Sequence, residues 1–192
     1  MPDIIRDGTG KGYLAAVNKD NQLVTRAIAV PQHTKSTVDG SYFEATTGLI
    51  TLTDVLEKGI IYLKNNESST IIIDKLFLDI WESTGGSTTN GGIMKYYKNP
   101  TVTGGTSISP VNTNFSEPDV AGLDLKSLTT ITEGTNWWIG YFTPGVSLVI
   151  EEEKIAVPPG YSFGVSLQAP TGNTSMNISC NVAFYRLDEE LL

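Results

Sequence analysis

An all-β protein, built as an antiparallel two-sheet β-sandwich of the jelly-roll kind with an extended N-terminal arm, is what this sequence predicts. Three observations carry the prediction. Apolar runs of strand length recur from Gly48 onward between turn signals, and no long stretch carries a helical stripe. The 19 Gly and 9 Pro supply more punctuation than a helical protein tolerates. With 192 residues, 40% of them hydrophobic, the chain has material for one domain with a sizeable core and an appended segment, not for two large domains.

Taken in order, residues 1–46 are expected to form an arm and linker and residues 47–192 the sandwich. In the arm, short apolar groups are separated by Gly, Asn and Asp, and residues 31–40 are polar. Such a segment folds best against something else, either as an arm on a neighbouring protein or as a small hairpin around Asn18 and Asn21 pinned to its own domain. Strands are then predicted over residues 49–53, 59–64, 71–81, 137–142, 146–150, 161–167 and 178–186. In the last two, Tyr161, Phe163, Val165 and Leu167 on the face to be buried oppose Ser162, Gly164 and Ser166, and Ile178, Cys180, Val182 and Phe184 oppose Ser179, Asn181 and Ala183. Residues 65–69, 143–145 and 170–174 read as turns. Residues 120–128 have room for a helical turn or two. The region 83–117, with paired glycines and a single short strand over 93–98, reads as a long excursion able to meet a partner.

The segment 71–81 stands apart because it is apolar on both sides. Ile72, Leu76, Leu78 and Ile80 share one face, while Ile71, Ile73, Phe77 and Trp81 surround Lys75 and Asp79 on the other. A monomer would expose that second face, so Phe77 and Trp81 are the expected subunit-interface residues.

Charge and chemistry exclude more than they identify. A formal charge of -8 repels nucleic acid and anionic membrane, and no apolar run reaches the length of a membrane span. The start, Met-Pro-Asp-Ile-Ile-Arg, lacks the apolar stretch of a secretory signal, and a lone Cys180 forms no internal disulfide. Nucleophilic catalysis needs a base beside the nucleophile, yet the single histidine, His33, reads as a solvated loop residue and Cys180 as core. Glu151, Glu152 and Glu153, with Trp137 and Trp138 as sugar platforms, have the composition of a glycosidase site. They read better as a solvated strand end, and tandem tryptophans in a regular strand point to opposite faces. Gly8-Thr9-Gly10-Lys11-Gly12 lacks the spacing of a phosphate loop, and Lys11 spoils a calcium loop. The chain is therefore expected to be no enzyme, with no metal and no cofactor.

The arm sequence Arg6-Asp7-Gly8-Thr9-Gly10-Lys11-Gly12-Tyr13-Leu14-Ala15-Ala16-Val17, followed by Asn21-Gln22-Leu23-Val24-Thr25, resembles N-terminal segments of tailed-bacteriophage virion proteins. Further on, Ile155-Ala156-Val157-Pro158-Pro159-Gly160-Tyr161-Ser162-Phe163-Gly164-Val165 is similar to a Pro-Pro-Gly lead-in to a strand in viral jelly-roll proteins. The resemblance implies a structural virion component of the capsid decoration (cement) or head-fibre type, trimeric, made in the host bacterial cytoplasm and located on the capsid surface. It implies no catalytic residues. Its expected partner is the major capsid protein or another virion protein, reached through Ile4, Ile5, Lys11, Tyr13, Leu14, Val17, Leu23, Val24 and Arg26. These are too apolar for a free tail, and with Lys19 they add local positive charge suited to an acidic shell. A collar, tail or baseplate component, or a carbohydrate- or receptor-binding β-sandwich module, are the alternatives.

Overall fold

The computed structural model describes residues 5–6, 14–17, 23–24, 32–53, 55–81, 92–118, 121–143, 145–150, 155–172 and 175–187. The chain divides into two compact units, Met1–Pro31 and Gln32–Leu192. In the first, β1 (Ile5–Arg6), β2 (Leu14–Val17) and β3 (Leu23–Val24) form an antiparallel sheet, with Ile5 opposite Ala15 and Val17 opposite Leu23. The β2–β3 pair brackets Asn18 and Asn21, so the hairpin expected there is formed.

The second unit opens with α1 (Gln32–Val38), a helix where a polar linker was expected. Its stop is a Schellman motif: Ser41 N–H donates to Ser36 O at 2.8 Å and Gly40 N–H to Thr37 O at 3.2 Å, with Gly40 at φ 72°. The helix packs on β4 (Tyr42–Thr46) and on the last strand, where Tyr42, Tyr185 and Ala183 form a small buried cluster. Strand β4 moves the sandwich boundary from residue 47 back to the start of this unit, because Phe43 is fully buried and Ala45 nearly so.

After β4 come β5 (Ile50–Leu52), β6 (Lys58–Asn65), β7 (Ile71–Ile80), β8 (Gly92–Thr103), β9 (Thr106–Ser107), β10 (Val111–Asn112), β11 (Leu123–Ser127), β12 (Thr130–Phe142), β13 (Val146–Ile150), β14 (Ile155–Val157), β15 (Ser162–Gln168) and β16 (Met176–Arg186). One sheet has the order β10-β4-β16-β7-β13, with β5 and β14 added at β16 and β7; the other runs β12-β8-β15-β6-β11-β9. The principal pairs are nested. β8 pairs with β12, outside them β7 with β13, then β6 with β15, and finally β4 with β16, all antiparallel. A long hairpin rolled up in this way is a jelly roll, which confirms the all-β sandwich the sequence predicts. The excursion 83–117 carries β8, β9 and β10, and Leu123–Ser127 form a strand within the stretch 120–128 where a helical turn is expected.

The inner faces of the two sheets share one core that includes Phe43, Ile61, Leu63, Leu78, Val165, Leu167, Ile178, Cys180 and Phe184. Phe43 and Phe184 stack across β4 and β16 with centroids 5.7 Å apart. A bulge resolves the two apolar faces expected of residues 71–81. Ala183 lies opposite Lys75 but Phe184 lies opposite Ile73, so Asp74 is an extra residue in β7 and the alternation slips by one. Ile71 and Ile73 turn into the core, Ile72 joins the cluster under α1, and of the apolar residues expected outside only Phe77 and Trp81 stay there. Asp74 is buried, with its carboxylate accepting the Tyr42 hydroxyl at 2.6 Å.

Candidate functional site

The arm residues fall in the first unit. Ile5, Leu14, Val17, Leu23 and Val24 sit on its three strands, whereas Ile4, Lys11, Tyr13 and Arg26 lie outside the described residues. Of the interface pair, Phe77 is half-buried in a trough of about 510 Å³ on the outer face of the first sheet, beside Lys75, Glu44, Asn181 and Val111. Trp81 follows the last residue of the same strand, exposed, and does not line that trough.

The candidate catalytic groups are not brought together. Cys180 is fully buried, and burial pushes its thiol up to about 12. His33 lies in α1, on a helix and not in a loop. Glu151, Glu152 and Glu153 lie outside the described residues. Among the described residues no group of three or more His, Cys, Asp or Glu could hold a metal ion, and no helix is long and apolar enough to cross a membrane.

The tandem tryptophans depart from the expected opposite-face arrangement, again through a bulge. Asn136 lies opposite Tyr97 and Trp138 opposite Tyr96, so Trp137 is the extra residue in edge strand β12. Both indoles then gather on one ring: Tyr96 stands 5.5 Å from Trp137 and 4.6 Å from Trp138, and Phe163 packs edge-on to it. Trp138 stacks near-parallel on Tyr96, while the Trp137 ring is tilted and half exposed. Burial raises the Tyr96 phenol, so that hydroxyl stays neutral.

A second irregularity shapes the surface next to Trp137. Thr135 pairs with Lys98 and Glu133 with Thr101, leaving Asn99 and Pro100 to bulge opposite Gly134. Gly134 is at φ 127°, and a Cβ there would lie 2.8 Å from the Pro100 Cα, so the close approach requires glycine. Asn99 takes the left-handed conformation at φ 52°, and its Oδ1 accepts Ser162 N–H at 3.1 Å. Two concavities meet here. One, of about 210 Å³, is lined by Lys98, Asn99, Trp137, Val157, Tyr161 and Ser162 among others. The other, of about 530 Å³, holds Tyr62, Lys64, Thr101, Asp124 and Lys126, and shares Asn99, Tyr161 and Ser162 with the first.

On the outer face of the same sheet, Glu57 accepts hydrogen bonds from Tyr97 Oη at 2.7 Å, from Ser166 Oγ at 2.6 Å and from Lys95 Nζ. Burial works against its charge, but the bonds from Lys95, Ser166 and Tyr97 outweigh it and hold the carboxyl below its ordinary value. The same pairing, added to desolvation, pushes the Tyr97 phenol up to about 12. Sequence reasoning missed both the Asn99 groove and the Glu57 network. Their members come from strands far apart in the chain, and Asn-Pro and Gly read as turn signals within what are long strands.

No protein-family model matches this chain, and no curated protein matches it. Among solved structures, a particle of Israeli acute paralysis virus is 13% identical over 96% of this chain and 82% of that one, with a TM-score of 0.34. Peanut lectin in complex with a nine-residue peptide is 11% identical over 78% and 94%, with a TM-score of 0.26. Infectious bursal virus derived T=1 particles are 13% identical over 80% of this chain and 39% of that one, with a TM-score of 0.15.

Proposed function

We propose that this chain is a non-enzymatic structural protein of a bacteriophage virion, attached to the capsid through its N-terminal segment and decorating or stabilising the head as a homotrimer. The observation that carries the reading is the division of the chain at Pro31 into an N-terminal unit and the unit that holds the jelly roll. Three strands of two to four residues make a sheet below the size that is stable by itself. A second layer supplied by a shell protein resolves that, and short strands add readily to an exposed edge. The resemblance of the Arg6 to Thr25 stretch to phage virion arms names the partner class, and it alone supplies the three-fold symmetry. Phe77 and Trp81 are the side chains offered to the subunit contact.

The experiment compares the full chain with one starting at Gln32 on capsids lacking the native protein. The shortened chain is expected to stay folded and to lose capsid binding. Decoration by both chains to the same level would refute the anchor. Light scattering is expected to give a trimer mass, and a monomer at micromolar concentration would remove the subunit contact from the proposal. Hydrolysis of a polysaccharide panel, abolished by Glu152→Gln, would overturn the non-enzymatic reading.

A further inference from the structure

The groove at Asn99 has a chemistry that capsid attachment does not use. Trp137 and Tyr161 both line it and are 50% and 49% exposed; Tyr161, expected on the buried face, lies just before β15 and stays at the surface, so two aromatic faces are left in water on one short stretch. Between and beside them stand hydrogen-bonding groups: the Asn99 amide, whose oxygen is taken by Ser162 N–H while its nitrogen remains a donor, and the Ser162 hydroxyl, which donates to Pro100 O at 3.4 Å and keeps its oxygen as an acceptor. Lys64 and Lys98 line the two halves without an ion-pair partner among the described residues, whereas Lys126 is held by Asp124 at 2.9 Å. The local balance is therefore positive on a chain whose formal charge is -8.

Each alternative ligand class meets an obstacle here. A peptide added as a strand would pair along the free edge of β12, beside the groove and not in it, because the floor strand β15 is already bonded on both sides, to β8 and to β6. A purely apolar small molecule would leave the Asn99 amide nitrogen facing it unpaired. A nucleic acid brings a phosphate at every residue against the long-range field of an acidic protein. A pyranose offers what the groove takes: a C–H face for an aromatic ring, hydroxyls for amide and serine, and, where the sugar carries one, a carboxylate for a lysine.

We propose that the linked concavities around Asn99 form a binding site for a short oligosaccharide bearing a carboxylated sugar, with Trp137 and Tyr161 as stacking platforms and Lys98 and Lys64 as carboxylate partners. The bulge at Asn99 and Pro100 is what builds it. It turns the Asn99 side chain toward Ser162 and, together with the Trp137 bulge, leaves one indole half free while Trp138 anchors the edge strand on Tyr96. The proposal is independent of the capsid reading, and a chain starting at Gln32 is expected to keep the site.

The test is titration of the full-length protein, followed by NMR or calorimetry, with sialyllactose and with a hyaluronan tetrasaccharide. Lactose, maltotetraose and an oligothymidylate serve as comparisons. Saturable binding to either carboxylated sugar is expected, and the two probes separate a sialic acid source from a uronate source. Tyr161→Ala and Trp137→Ala are each expected to weaken binding about tenfold, the scale of one lost aromatic contact. Lys98→Gln is expected to abolish the preference for sialyllactose over lactose. Because Trp137 also leans on Tyr96, Tyr161→Ala carries the result if the tryptophan variant unfolds. The proposal is overturned by absence of saturable binding to both carboxylated probes, by equal binding of lactose, by tighter binding of the oligothymidylate, or by full affinity in folded Tyr161→Ala.

Discussion

Replacing Glu67 with alanine removes a clamp that ties three distant parts of the jelly roll together. Glu67 stands in the turn after β6. Its Oε2 accepts Arg186 Nε–H at 2.7 Å, its Oε1 accepts Arg186 Nη2–H at 2.8 Å, and Gly122 N–H donates to the same Oε1. The two charged side chains are 13% and 22% exposed, Glu67 the lower. Exposed ion pairs contribute roughly 0–1 kcal/mol, and breaking a fully buried one costs about 3–5. A two-pronged pair at this intermediate exposure, with a third bond to a backbone N–H, places Glu67→Ala at about 2–3 kcal/mol. For a chain of this size each kcal/mol lowers Tm by roughly 2–4 °C, so a fall of about 5–10 °C is expected. Urea unfolding followed by tryptophan fluorescence, beside calorimetry, measures it. A double-mutant cycle with Arg186→Met isolates the pair and is expected to return at least about 1.5 kcal/mol of coupling. A loss under about 0.5 kcal/mol for Glu67→Ala, with no coupling, would refute the assignment.

Other expectations follow from the same geometry. The stability advantage of the native chain over Glu57→Gln is greatest above the ordinary carboxyl value of 4.5 and disappears as the pH falls through the lowered native value, since a depressed carboxyl stabilises only while ionised; urea midpoints across pH 3–7 test this, and a pH-independent difference would contradict it. Cys180 is expected to react with a thiol reagent at pH 8 only as fast as the sandwich opens, and stoichiometric labelling within seconds in buffer would contradict its burial. Gly134→Ala, forced against Pro100 at φ 127°, is expected to cost about 1–3 kcal/mol and to disturb Asn99; unchanged stability would mean that the bulge relaxes freely. A chain starting at residue 47 is expected not to fold, because it lacks the buried Tyr42 and Phe43, while one starting at Gln32 does, as circular dichroism would report.

Where alternation runs unbroken, the fold is legible. The strands expected over 146–150, 161–167 and 178–186 appear as β13, β15 and β16, displaced by at most two residues at an end. Legibility fails where an extra residue enters a strand. At Asp74 the slip makes Ile71 and Ile73 look like surface, and at Trp137 it brings two neighbouring indoles to one ring. Asn99, Pro100 and Gly134 carry the composition of turns yet sit inside β8 and β12. The helix α1 has no apolar stripe to find, though Gly40 after Asp39 is a stop signal that is visible in the sequence. The Asn99 groove was out of reach for a further reason: its members meet only through pairings between β8, β12 and β15.

The nesting of the pairs has a consequence for how the protein is made. Thr47 Oγ1 receives the Cys180 N–H across 133 residues of chain, and β4 lies against β16, which is synthesised long after it. Phe43 therefore has no Phe184 to stack on until about 140 further residues have been made, and of the four nested pairs β8 and β12 can close first. Such far-separated contacts make the final closure slow, and they leave the apolar side of β4 waiting for β16. The yield of soluble protein should then depend on what shields that strand during synthesis. Lowering the growth temperature or supplying a holdase chaperone should raise it without altering the stability of the finished molecule.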